Sequence, residues 1–85
     1  MKNKQVLEIA KIYKSKILDL PSNDEYEHIV WMLDQIVVWI EGMEENCQCV
    51  AEKTHRWLGF VQGFLWTKGI FTIEEMKLHN SAVSL

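Results

Sequence analysis

The twelve residues Ile29–Ile40, IVWMLDQIVVWI, constrain this chain more than any other segment. Ten of them are apolar, and only Asp34 and Gln35 interrupt the run. As a helix, such a segment is apolar around most of its circumference and has to be covered on several sides. It is too short and too polar to cross a bilayer, which takes about 20 apolar residues. The expected setting is the centre of a helical bundle or an interface between subunits. The chain has 85 residues, 48% of them hydrophobic and four of them tryptophan. That is more apolar surface than two or three helices of one copy bury easily, which predicts a homo-oligomer.

Elsewhere, too, apolar residues recur at helical spacing and no run alternates as a strand does. A first helix is expected over Asn3–Leu18, with Val6, Ile9, Ala10, Tyr13, Ile17 and Leu20 on one stripe. Pro21 ends it, because the residue before a proline disfavours helical geometry. Ser22 then opens a capping box with Glu25 three residues on, starting a second helix over about Asn23–Glu41. A break near Gly42 leads to a third helix over about Asn46–Lys68, closed by Gly69. The stretch FTIEEM combines a capping box, Thr72 with Glu75, and a hydrophobic staple, Phe71 with Met76. It predicts a short fourth helix from Ile73 to about His79, with Ser81–Leu85 as a frayed tail. The fold class is therefore all-α: one helical domain over residues 1–80, with three main helices and a short C-terminal one.

Charge narrows the function classes. Five lysines fall in the first sixteen residues, whereas Ile17–Glu52 holds nine acids and no lysine or arginine. A net charge of −3 with an acidic middle argues against binding duplex nucleic acid, which needs a basic patch. It leaves room for one small anionic ligand held by a few local donors. The basic N-terminus does not lead into an apolar run, so no signal peptide is read and a soluble, intracellular protein is expected. Cys47 and Cys49 are spaced too closely for the usual closed zinc sites, and their side chains diverge on a helix; ordinary reduced thiols are expected. The scattered His28, His55 and His79 and the acidic pairs at helix ends form no nucleophile–base or metal constellation. No enzyme activity, metal or cofactor is expected.

The third helix holds the densest cluster of unusual residues, HRWLGFVQGFLW at His55–Trp66. At about 100° per residue, Val50, Thr54, Trp57, Leu58, Val61, Phe64 and Leu65 form its core side. Glu52, His55, Arg56, Gly59, Gln62, Gly63 and Trp66 take the other. Two readings fit that second face. Gly59 and Gly63, four residues apart, let another helix approach closely, with Arg56 and Gln62 bonding across the contact. Alternatively the glycines floor a flat ligand, Trp66 stacks on a base and Arg56 holds a phosphate or base edge.

The run EKTHRWLGFVQGFLWTKGIFTIEEMKLHN at Glu52–Asn80, with HIVWMLDQI at His28–Ile36, resembles a family of very small tailed-phage proteins. That family shares an E-K-x-x-R-W-L-G-F-x-Q-G block followed by G-x-x-(S/T)-I-E-E-(M/L)-K-x-x-N. The resemblance implies phage origin, and small phage proteins of this kind are often antagonists of host defence. Some helical oligomers of that class act as sponges, holding cyclic oligonucleotides or other nucleotide signals between subunits. This chain is similar to them in size and helicity but lacks their E-A-x-x-W-A hairpin signature, so the likeness is one of class. It implies a non-catalytic binder of a cyclic oligonucleotide or ADP-ribose-type messenger in the host cytoplasm. Arg56 would contact phosphate, Trp66 would stack, His55 and Gln62 would read polar groups, and Gly59 and Gly63 would permit approach. The alternatives are an inhibitor that binds a host defence or regulatory complex through the acidic second helix, or an accessory protein without a ligand.

Overall fold

The computed structural model describes residues 3–42 and 48–82, the side chains of residues 48–50 and 81–82 excepted. These residues form four helices: α1 (Asn3–Leu18), α2 (Asp24–Gly42), α3 (Gln48–Thr67) and α4 (Ile73–Ala82). Among the described residues there is no strand, and no helix is long and apolar enough to cross a membrane. Cys47, the expected inter-helix break and the end of the tail lie outside the described residues, as does the side chain of Cys49.

Local chemistry explains the helix ends. The last turn of α1 tightens, with the Leu20 N–H donating to the Ile17 carbonyl at 3.0 Å, and Pro21 follows. The cap of α2 is Asn23 rather than Ser22: Asn23 Oδ1 accepts the Tyr26 N–H at 2.8 Å. Asparagine caps at least as well as serine, and it leaves Asp24, Glu25 and Glu27 in the first turn, where the helix dipole favours them. Ser22 instead donates its hydroxyl to Glu27 at 3.1 Å. At the end of α3, Gly69 takes φ 72°. Its N–H reaches the Trp66 carbonyl at 3.0 Å, and the Ile70 N–H reaches that of Leu65 at 2.9 Å. This is the Schellman pair, which needs a left-handed residue and therefore glycine. Thr72 and Glu75 exchange reciprocal bonds at 3.1 Å, and Phe71 and Met76 are both buried as the staple requires. Helix α4 runs on past His79 to Ala82, longer than its sequence signals suggest.

Helices α1 and α2 form an antiparallel pair, α3 packs on both, and α4 folds back onto α1. The core takes Val6, Ile9, Ala10, Tyr13 and Ile17 from α1 and Ile29, Met32, Leu33 and Ile36 from α2. Helix α3 adds Leu58, Val61 and Leu65. Lys14 and Asp34 tie α1 to α2 at 2.7 Å, a half-exposed pair worth at most about 1 kcal/mol. The molecule measures 36 × 26 × 17 Å, so its thin dimension holds two helix layers at about 8–10 Å spacing. In two layers every helix keeps an outward face. Helix α2 is accordingly not wrapped within one chain: Trp31 stays 49% and Val38 58% exposed.

Candidate binding groove

The polar face expected on α3 is divided among three environments. Gln62 turns inward to the junction of α1, α3 and α4. Its Nε2 donates to the Tyr13 hydroxyl at 3.1 Å and to Asn80 Oδ1 at 3.0 Å. The Tyr13 hydroxyl also hydrogen-bonds His79 Nδ1, 3.1 Å away, with the donor set by the tautomer of the imidazole. Phe71 packs over both rings, with centroids 5.2 Å from Tyr13 and 4.9 Å from His79. Burial of Tyr13 raises the pKa of its phenol above the usual 10.0, against a smaller lowering by the Gln62 hydrogen bond. Both hydrogens of the Gln62 amide are engaged within the chain, which leaves it little to offer a ligand.

His55 is half-buried on the same flank of α3. Gly59 and Gly63 face outward, and a Cβ built on either meets nothing within 4 Å. Among the described residues no helix of the same chain lies on them. Trp66 is 54% exposed. It stands ten residues beyond Arg56, about 15 Å along the helix. The six residues therefore do not converge on one site within a single chain.

Arg56 instead borders α2. A groove of about 430 Å³ between α2 and α3 is lined by His28, Trp31, Met32, Arg56, Trp57 and Phe60. Its aromatic rings form a series. His28 stacks on Trp31 at 5.6 Å, Trp31 meets Trp57 at 5.8 Å, and Trp57 meets Trp39 edge-on at 4.7 Å. Lys53 closes the far end, its ammonium 4.2 Å above the Trp39 ring. Phe60 is 60% exposed on the rim. A second opening of about 370 Å³ adjoins the first and shares His28 and Phe60 with it. Its remaining lining is Asp24, Glu25, Ile29 and Phe64, so its charge is acidic. There Lys68 bridges to Glu25 at 3.3 Å and lies 5.6 Å over the Phe64 ring. A smaller cavity of about 180 Å³ at the α1–α2 turn is mostly apolar and has no cation in its lining.

Arg56 is thus the one expected contact residue that the fold sets among flat rings. Of the residues that join it, Trp57 reads singly as core, Trp31 as part of the apolar run and His28 as a scattered histidine, while Phe60 falls on neither face. The signal was present in part: Arg56, Trp57 and Phe60 share one flank of α3, and His28 and Trp31 one flank of α2. Joining the two flanks needs the register of α2 against α3. Among the described residues no three His, Cys, Asp or Glu side chains gather as metal ligands do. Compared with known proteins, the chain matches no family model, no curated protein and no solved structure.

Proposed function

We propose that this chain is a tailed-phage protein that acts by binding rather than catalysis. It self-associates and sequesters a nucleotide signal of host defence in the host cytoplasm. The observation that carries this reading is the setting of Arg56 in an open groove bounded by Trp31, Trp57, Phe60 and His28. A nucleotide presents flat bases and a localised negative charge. Aromatic stacking contributes about 1–3 kcal/mol per base, and a guanidinium adds a bidentate contact to phosphate or a base edge. The groove departs from the face first inferred on α3: Trp31 and Trp57 take the stacking role in place of Trp66, and Gln62 has none.

Thermal melting with cyclic di- and trinucleotides and ADP-ribose derivatives tests the reading. A ligand at 100 times its dissociation constant stabilises the fold by about 2.7 kcal/mol. Arg56→Ala is expected to abolish that gain and, at a concentration where the chain is monomeric, leave the ligand-free melt unchanged, because the side chain is exposed within one chain. Absence of a gain with every nucleotide, together with tight capture of a host protein, removes the sponge reading and selects the inhibitor reading. The specific observation favouring that second reading is the half-exposed apolar surface of Trp31, Val38 and Phe60, which suits a protein partner.

A further inference from the structure

The groove between α2 and α3 is chemically asymmetric along its length, and that asymmetry is self-complementary. Its two openings meet at His28 and Phe60, which line both. From that level, Asp24 lies four residues back along α2 and Arg56 four residues back along α3. The helices run antiparallel, with Lys68 on Glu25 at one end and Lys53 over Trp39 at the other. Asp24 and Arg56 therefore stand about 6 Å on opposite sides of the His28–Phe60 level. Among the described residues neither has an ion-pair partner.

We infer that a second copy of this chain seats on the groove across a two-fold axis that lies in the contact plane at the His28–Phe60 level. Such an axis turns the second copy end for end and sets its acidic half over the Arg56 half of the first. Asp24 of each copy then comes within reach of Arg56 of the other, and symmetry repeats the pair. The same contact buries Trp31 and Phe60, the exposed rings that a lone chain leaves in water. Gly59 and Gly63 keep the flank of α3 beside Arg56 and Phe60 low, so the second copy approaches without obstruction. The closed two-fold contact also uses up the patch and gives a dimer rather than a filament.

This inference rests on the self-association proposed above but not on any ligand. A nucleotide in the groove and a second copy over it compete for Arg56, so ligand capture dissociates the dimer. The test is sedimentation equilibrium of the full chain, wild type and variant, with helical content checked by circular dichroism. The wild type is expected to be dimeric. Arg56→Asp and Asp24→Arg each weaken the dimer by about tenfold or more, since each sets like charges opposite one another twice per dimer. The combined swap, Asp24→Arg with Arg56→Asp, restores it. A monomeric wild type overturns the inference, as does a dimer indifferent to either reversal or one that the swap fails to rescue. A melting gain with nucleotides in a monomeric protein leaves the binding reading standing while this one falls. A swap-rescued dimer that no nucleotide stabilises or dissociates gives the converse.

Discussion

On the side of α3 that meets α1 and α4, Tyr13, Gln62, His79 and Asn80 form a closed hydrogen-bonded cluster sealed by Phe71. On the side that meets α2, Trp57 and Phe60 join Trp31 and His28 in an open groove, with Arg56 at its edge. Both sides are rich in rings and polar groups. On the closed side each polar group shown has a partner in the chain, and the rings pack on one another. On the open side, rings and charge are left facing outward. Buried polar networks stabilise a fold only when satisfied, so the closed side serves architecture. Exposed rings contribute little to one chain's stability and become useful when something covers them. The chain therefore keeps its recognition chemistry on the flank its own helices do not fill.

Substitutions in the two regions should separate stability from association. The largest effect belongs to the core that both sides share. Leu33→Ala removes a fully buried side chain and is expected to cost about 2–5 kcal/mol in urea denaturation. Trp31→Ala, in the groove, should cost no more than about 1 kcal/mol at a concentration where the chain is monomeric. Its effect should appear instead as lost self-association or lost ligand response. Equal destabilisation by the two would mean that the groove is core, and the contrast would fail. Next comes Tyr13→Phe, which keeps the ring but removes the acceptor of Gln62 and the hydroxyl partner of His79. It should cost about 1–3 kcal/mol, with dimerisation at saturating concentration unchanged.

Much of the fold was legible because its signals are local. Pro21, Gly69 and the Thr72–Glu75 box act within a few residues, and the ends of α1 and α3 and the start of α4 follow from that chemistry. The start of α2 was misread by one residue because Ser22 and Asn23 are both good caps, and adjacent caps compete. The binding face was harder to read. Helical spacing put Gln62 at the edge of the polar side of α3, but an edge position belongs to whichever helix packs there. Helix α4 supplied that neighbour through His79 and Asn80, from 17 and 18 residues downstream. Arg56 met its aromatic neighbours only through the α2–α3 register. The apolar girth of Ile29–Ile40 raises the expectation of cover on several sides, and one chain in two layers provides only part of it.

The closed cluster also has a pH signature, carried by Tyr13. Burial raises the Tyr13 phenol pKa in the folded chain above its unfolded value near 10.0. Below that value both states hold the proton, and stability from this group does not vary. As pH rises past about 10, the unfolded chain releases the proton first, so stability falls by up to about 1.4 kcal/mol per pH unit until the folded phenol also titrates. Denaturation across the alkaline range should show this fall in the wild type, and Tyr13→Phe should reduce it. A fall of the same size in Tyr13→Phe would assign it to other groups.

The smallest expected effect is the one that asks most directly what covers the outer face of α3. Glycine inside a helix costs about 0.5–1 kcal/mol relative to alanine, through backbone freedom retained in the unfolded chain. In one chain, a Cβ at Gly63 has nothing within 4 Å to strike, and Gly63 has no left-handed backbone that would resist substitution. Gly63→Ala should therefore stabilise the monomer by about 0.5–1 kcal/mol. If a second copy or a ligand lies against that flank, the same methyl group occupies space they need. Melting should then rise in dilute monomer while the dimer or ligand complex weakens, two opposite signs from one atom. If stability rises by the same amount in both states, Gly63 is bare in the assembly too. The contact would then be confined to the strip from Trp31 to Phe60.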